Sequence, residues 1–250
     1  MAAEEGRAAP AGPLVPIALV AFAADVLIYY FTIEPLKTWS IEKFSSPAWG
    51  ILAHYGLRAA SALIAAFALL HWRAATPRDL GFARGPVRED AMWTLRLVAG
   101  LVVLSGVLMA LGVVAIRLFD IPIGGWPRET QEFKGWGPYL LCAVVAAPLV
   151  EEFVYRGLLT PALRAGYGDR GAIAAGAALF YVLHLVYGKP WWMAHYLVAG
   201  AILTWAFVKR ERLWICVLLH AGGNLLVVFD DALLDFAPGL FKAIVGRLPG

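Results

Sequence analysis

The chain has 250 residues, of which 61% are hydrophobic and only 16% are charged. Soluble domains carry about 45–50% apolar residues, so this composition excludes an ordinary soluble domain and indicates a polytopic membrane protein. The net charge of +3 is small, and the basic residues lie between apolar runs, which argues against nucleic-acid binding. Cys142 and Cys216 lie in apolar runs without ligand spacing, so neither a disulfide framework nor a thiolate metal site is expected.

After an N-terminal tail at residues 1–13, apolar runs of about 20 residues follow one another, the length that crosses a bilayer as a helix. The predicted spans are residues 14–33, 51–72, 96–118, 137–160, 171–187, 191–208 and 212–229. A shorter apolar stretch, 232–246, would form an eighth, broken span or an interfacial helix. We therefore expect an all-α polytopic integral membrane protein with a bundle of about eight transmembrane helices. It would form a single membrane domain, residues 14–250, with an intramembrane catalytic cavity.

Lysine and arginine residues collect between alternate spans, and cytoplasmic loops retain such residues. With a cytoplasmic N-terminus, that side receives Arg7, Arg73, Arg78, Arg84, Arg88, Arg164, Arg170, Lys209, Arg210 and Arg212, and with eight spans also Lys242 and Arg247. The opposite side receives only Lys37, Lys43, Arg128, Lys134 and Lys189. This asymmetry predicts a cytoplasmic N-terminus, and the Ala/Arg/Gly-rich composition with compact loops favours a bacterial inner membrane.

Three charged residues interrupt the fourth apolar run, AAPLVEEFVYRGLL at residues 146–159. A charge at mid-membrane costs from about 2.5 to over 10 kcal/mol, so such residues usually face a protein interior and mark function. Glu152 and Arg156 are four residues apart, in the order that favours a helical ion pair. Glu151 lies about 100° from Glu152 around the helix and has no obvious partner in its own helix. Glu151 is therefore the predicted working carboxylate.

Two later spans carry polar residues at a similar depth. His184 follows Phe180 by one helical turn, and His220 shares a helix face with Asn224. Counted from the predicted helix ends, these residues and Glu151 lie about 12–20 Å inside the membrane. They could therefore line one cavity. The alternative interpretation is helix packing, because histidine and asparagine side chains also form hydrogen bonds between membrane helices.

The other polar residues in the predicted spans are expected to have structural roles. Asp25 in the first span and Arg58 in the second lie at comparable depth and are predicted to form an ion pair. His54 and His71 lie towards the ends of the second span, and His195 lies near an interface. The sequence contains neither a GxSxG elbow nor an HExxH motif, which argues against the common serine-hydrolase and zincin patterns.

A carboxylate and an imidazole in a shielded cavity can deprotonate a water molecule for attack on a carbonyl group. Glu151 and His184 would activate the water, and His220 with Asn224 would donate hydrogen bonds to the oxyanion. The same atoms permit a second interpretation, because Glu151, His184 and His220 form a common catalytic zinc set. Two further hypotheses stand beside hydrolysis: a transporter that uses Asp25, Glu151 and the histidines as an ion path, and a non-catalytic scaffold or immunity protein.

Three motifs occur in order on successive predicted helices: Glu-Glu-x-x-x-Arg (Glu151, Glu152, Arg156), Phe-x-x-x-His (Phe180, His184) and His-x-x-x-Asn (His220, Asn224). In this order they resemble the motifs of the CAAX-protease and bacteriocin-processing (CPBP) family of intramembrane endopeptidases. The resemblance covers a motif-bearing core, residues 137–229. It implies a glutamic-type protease that cleaves a membrane-anchored protein or peptide within the lipid bilayer, with the catalytic roles given above. Glu152, Arg156 and Phe180 would support the site. No cofactor is implied, zinc being the alternative.

Overall fold

The computed structural model describes residues 14–118, 136–186 and 195–236, which are almost entirely helical. The helices are α1 (Leu14–Phe44), α2 (Ala48–His71), α3 (Val87–Leu118), α4 (Trp136–Leu140), α5 (Ala147–Glu152), α6 (Thr160–Val186), α7 (His195–Arg210) and α8 (Leu213–Phe236). Two π-helical segments, π1 (Leu141–Ala146) and π2 (Phe153–Leu159), join α4 to α5 and α5 to α6. Within these ranges no β-strand forms, so the all-α expectation is confirmed.

Three helical stretches in the described ranges are long and apolar enough to cross a membrane: Leu14–Phe44, Ala48–His71 and Gly137–Val186. A shorter apolar helix covers Leu213–Val227. The expectation of a helical membrane protein is thus confirmed, but the expected number of about eight spans is not. The stretch 232–246 does not begin as a separate helix, because α8 continues to Phe236. The rest of that stretch lies outside the described residues.

The first helix extends well beyond its apolar run. The predicted span ends at residue 33, whereas α1 continues to Phe44 and includes Pro35. Hydropathy reports where a helix leaves the hydrocarbon, and a polar continuation can stay helical. In this continuation Lys37 donates a hydrogen bond to Glu34, one turn earlier, over 3.2 Å. Such pairs stabilise an exposed helix modestly.

The two predicted spans 137–160 and 171–187 follow each other without a long loop. Gly168 separates them, with φ 65° and ψ −177° inside the otherwise helical stretch Thr160–Val186. This backbone conformation favours glycine, because a side chain at positive φ meets steric resistance. The helical stretch therefore has a kink at Gly168.

The motif-bearing segment lies inside the bundle. Helices α1 and α2 pack along each other and both contact π2, while α2 also contacts α5 and α8 contacts π1 and α5. Large apolar side chains face outwards, including Val20, which is 69% exposed, and Ile64, which is 71% exposed. An exposed apolar surface around a polar interior is the arrangement expected of a protein surrounded by lipid.

The basic segments predicted on one side of the membrane meet at one end of the bundle. Glu211, in the turn between α7 and α8, forms ion pairs with Arg78 at 2.8 Å and with Arg164 at 3.2 Å. The Leu213 backbone N–H donates to the Gly81 carbonyl oxygen over 3.0 Å. These contacts join the α2–α3 loop, the part of α6 that precedes Gly168 and the α7–α8 turn. Their assignment to the cytoplasmic side stays a prediction.

Candidate active site

The paired glutamates lie in a short α-helical turn between two wider π-helical segments. Glu151 and Glu152, at the end of α5, are 7% and 0% exposed, and Arg156 in π2 is 1% exposed. Thr160, just after π2, donates its hydroxyl hydrogen to the carbonyl oxygen of Tyr155, five residues earlier. A π-helix shifts backbone bonds to i→i+5 and often occurs at functional sites. The charges are therefore enclosed by protein, as expected of ionisable residues within a membrane.

Glu152 is the centre of one buried network. Its Oε1 accepts hydrogen bonds from Arg156 Nη1 at 2.9 Å and from His220 Nδ1 at 2.7 Å. The predicted ion pair within the helix is confirmed, and it extends to α8 through the imidazole. Arg156 Nη2 also donates to the Gly200 carbonyl oxygen in α7 over 3.3 Å. Glu152 and Arg156 thus connect three elements of the bundle.

Glu151 belongs to a different network, on the side of α1 and α2. Its Oε1 lies 3.6 Å from Arg58 Nη1. Arg58 in turn donates from Nε and Nη2 to the two carboxylate oxygens of Asp25, over 2.7 and 2.9 Å. The predicted ion pair between Asp25 and Arg58 is confirmed. Its contact with Glu151 was not predicted.

His184 has a defined hydrogen-bond partner in its own helix. Its Nδ1 lies 2.7 Å from the carbonyl oxygen of Phe180. A carbonyl only accepts, so Nδ1 carries the proton, and Nε2 of the neutral ring is an acceptor nitrogen. The ring also stacks on Tyr196 with centroids 3.9 Å apart. The partners on both sides fix the orientation of this imidazole.

Phe180 lies between the two predicted catalytic histidines. Its ring centroid is 4.5 Å from that of His184 and 5.9 Å from that of His220. The Arg156 guanidinium lies over the same ring, 4.9 Å from the centroid. A close approach of α6 and α7 fixes this position, since a Cβ at Gly200 would lie 2.8 Å from Phe180 Cβ.

Asn224 connects α8 to π1. Its Nδ2 donates to the Ala143 carbonyl oxygen over 2.7 Å. An asparagine amide has two N–H bonds, so this contact uses one of them and orients the other. The side chain lies one helical turn after His220, on the same face.

The four predicted catalytic residues come from three separate elements and lie in one region. The Glu151 carboxylate interacts electrostatically with Arg58, His220, His184 and Arg156. Within the described ranges, no group of three or more His, Cys, Asp or Glu side chains could hold a metal ion. The zinc interpretation, which needs Glu151, His184 and His220 around one ion, therefore stays a prediction.

His54 is a further buried polar residue that the sequence interpretation assigned to a helix end. It is 1% exposed, and its Nδ1 lies 2.8 Å from the Thr32 hydroxyl oxygen, while that hydroxyl donates to the Ile28 carbonyl oxygen. His54 also interacts electrostatically with Arg58 and Glu151. His54 and Arg58 are four residues apart on α2, so this spacing was the available signal that one face of α2 meets the site.

The fold and the site together define an integral membrane protein with an ionisable cluster inside its helical bundle. Residues 134–226, less than half of the chain, match the family model described as Rce1-like, type II CAAX prenyl endopeptidase. The predicted resemblance to the CAAX-protease and bacteriocin-processing family is thereby confirmed over this segment, and it implies CAAX-type intramembrane protease activity in general. The chain matches no curated protein and no solved structure in these comparisons.

Proposed function

We propose that the protein is an intramembrane endopeptidase that hydrolyses a peptide bond of a membrane-associated protein or peptide with a Glu151/His184-activated water. The observation that carries this proposal is the buried Glu151 carboxylate, 7% exposed, which lies close enough to His184 and His220 to interact electrostatically with both. A buried carboxylate in a membrane helix is costly. Helix packing alone does not explain why the chain bears the free-energy cost of this buried charge, whereas a proton-transfer role does.

Water activation needs a proton acceptor beside the attacking oxygen. In the proposed step, a water O–H bond breaks, the proton passes to the Glu151 carboxylate, and the hydroxide oxygen bonds to the carbonyl carbon of the substrate. His184 supports this step, because its Nδ1–H is held by the Phe180 carbonyl oxygen at 2.7 Å. Its Nε2 is then the acceptor that orients the second hydrogen of the water.

The tetrahedral intermediate carries a negative oxygen that needs hydrogen-bond donors. Asn224 supports this role, because one amide hydrogen is held by the Ala143 carbonyl oxygen and the other is then oriented. His220 donates its Nδ1 hydrogen to Glu152, so its Nε2 can donate only when the ring is doubly protonated. The Glu152 carboxylate holds the His220 ring in place through this hydrogen bond. In the last step the C–N bond breaks, and the proton held by Glu151 passes to the leaving amine.

The substrate would approach from the bilayer, and the enzyme would lie in a bacterial inner membrane with its N-terminus in the cytoplasm. Support for this orientation is the assembly of basic segments at one end, where Arg78 and Arg164 both pair with Glu211.

Cleavage by purified protein in liposomes tests the proposal. Two probes are used, a prenylated peptide with a C-terminal CAAX sequence and a reporter with a C-terminal transmembrane anchor. We expect the wild type to cleave at least one and Glu151→Gln to lose about 10²–10⁴-fold in rate. Gly56→Ala is the matched control, because a Cβ at this α2 position meets nothing within 4 Å.

The two competing functions predict different results, one in the same liposomes and one in cells. A transporter would give proton or cation flux that Glu151→Gln abolishes, without cleavage of either probe. A scaffold or immunity protein would keep its cellular effect in the Glu151→Gln variant. Either result would overturn the proposed protease function.

A further inference from the structure

Arg58 is the most completely enclosed cation beside the proposed catalytic carboxylate. Its side chain is 0% exposed in the middle of α2, and its Nη1 lies 3.6 Å from Glu151 Oε1. Helix α2 lies outside the segment that matches the protease family, residues 134–226. An element outside the three motifs therefore contributes a charge to the site.

The guanidinium is held in one orientation from several sides. Asp25 on α1 accepts from its Nε and Nη2 over 2.7 and 2.9 Å, a two-bond contact that fixes the plane of the group. The rings of Tyr29 and Tyr55 lie 5.9 and 5.4 Å from its central carbon. With the plane fixed by Asp25, the Nη1 corner points towards Glu151.

The distance between Arg58 and Glu151 has a chemical consequence. At 3.6 Å the pair is beyond the 2.7–3.2 Å of a usual N–H···O hydrogen bond. Arg58 offsets the cost of the buried negative charge, yet it does not occupy a carboxylate oxygen as tightly as Arg156 occupies Glu152 at 2.9 Å. Glu151 is thus held by the longer contact, whereas Oε1 of Glu152 accepts from both Arg156 and His220 and its Oε2 is fully enclosed by protein.

We propose that Arg58, oriented by Asp25, is a positioning residue that holds Glu151 for water activation, so that the α1–α2 hairpin is part of the active site. This proposal rests on the proposed function of Glu151 as the proton acceptor. The competing explanation is that Arg58 only fastens α2 to α1 through Asp25.

The first experiment measures the contact without any substrate. In Asp25→Leu/Arg58→Met the ion pair is replaced by apolar side chains, a change that buried pairs often tolerate, and only Glu151 loses its countercharge. We expect the melting temperature in detergent to fall and to recover when Glu151→Gln is added to the same protein. In the wild-type background, Glu151→Gln should give no such gain. Equal effects of Glu151→Gln in both backgrounds would overturn the proposal.

The second experiment measures cleavage by the folded variants in liposomes. We expect kcat of Asp25→Leu/Arg58→Met to fall about 10- to 100-fold, as for a misplaced catalytic group, with KM changed less than threefold. Arg58→Lys should regain part of the lost kcat, because it restores the charge without the two-bond fork. An unchanged kcat in the double variant would mean that Arg58 only holds α2 against α1, and it would overturn the proposal.

The control is a second buried aspartate–arginine pair, away from the site. Asp90 and Arg212 pair at the basic end of the bundle, with side chains 0% and 11% exposed. Asp90→Leu/Arg212→Met also removes the carboxylate that lies 3.5 Å from Arg210, so it should lower the melting temperature without lowering kcat. If Glu151→Gln itself keeps its cleavage activity, the proposed function fails, and the melting experiment still decides whether Arg58 compensates the charge of Glu151.

Discussion

Glu151 and Glu152 are neighbours in the chain, yet their carboxylates contact different partners. Glu151 lies 3.6 Å from Arg58 of α2, and Glu152 accepts from Arg156 and from His220 of α8 at 2.9 and 2.7 Å. The expectation that the two glutamates have different roles stays a prediction, and this division of partners motivates its test. Chemistry is proposed for the first and structural support for the second.

Replacement of each glutamate by glutamine should therefore give different defects. Glu152→Gln leaves Arg156 without its buried countercharge, and breaking a buried pair typically costs about 3–5 kcal/mol. We expect a lower unfolding midpoint in detergent for Glu152→Gln. Glu151→Gln should keep the wild-type midpoint within a few degrees and lose cleavage. A matching loss of stability in both variants would contradict the assigned division of roles.

Asn224→Ala should slow cleavage by about 10²–10³-fold, the usual effect of removing one oxyanion donor. KM should change little, because the donor acts on charge that develops after substrate binding. Thr94→Val serves as the control, since Thr94 also donates a buried hydrogen bond, to the Asp90 carbonyl oxygen over 2.8 Å. Comparable kcat losses in the two variants would remove the oxyanion role from Asn224.

Gly200→Ala should reduce both stability and activity. A Cβ at this position would lie 2.8 Å from Phe180 Cβ and 3.0 Å from Ala177 Cα. Overpacking of this kind costs about 1–3 kcal/mol, and it would displace the Phe180 ring, against which both proposed catalytic histidines pack. Thermal unfolding and kcat check this prediction. Gly223→Ala, where a Cβ meets nothing within 4 Å, should show a smaller loss of stability.

The membrane orientation can be tested by cysteine labelling in intact cells. The two native cysteines are buried, so background labelling should be low. Glu42 and Arg84 are both exposed and lie at opposite ends of the α1–α2 pair. We expect an impermeant maleimide to label Glu42→Cys from outside and to label Arg84→Cys only after permeabilisation. The reverse pattern would place the N-terminus outside the cytoplasm.

Metal chelation should leave the cleavage rate unchanged. A zinc ion on Glu151 would lie close to the Arg58 guanidinium, and like charges repel strongly in a buried site. Activity after treatment with a zinc chelator, together with elemental analysis of the purified protein, checks the prediction. Loss of activity that added zinc restores would support the metal interpretation instead.

Local spacing predicted the contacts that form within one helix. The pair Glu152–Arg156 follows from positions four apart, and it forms even though π2 begins between the two residues. Asp25–Arg58 followed from a different argument, since two opposite charges at similar depth in a membrane have few other partners. The free-energy cost of an unpaired charge in a membrane thus indicated which residues form ion pairs.

The contacts between distant helices could not be predicted in this way. His220–Glu152 and Arg58–Glu151 join residues whose separation in the chain carries no periodic signal. The π-helical segments were also not expected, because an apolar run of the same composition can be α-helical throughout. Helix packing decides both features, and packing depends on the complete bundle rather than on local residue preferences.

The position of Asp25 and Arg58 on α1 and α2 limits how the motif-bearing segment can be transplanted. A chimera that carries residues 134–226 on foreign helices would retain every motif residue and its ion pair Glu152–Arg156. It would lack the guanidinium beside Glu151 unless the acceptor helices supplied an equivalent arginine and its aspartate. On the role proposed for Arg58, an active chimera therefore needs the first helical hairpin as well as the motifs.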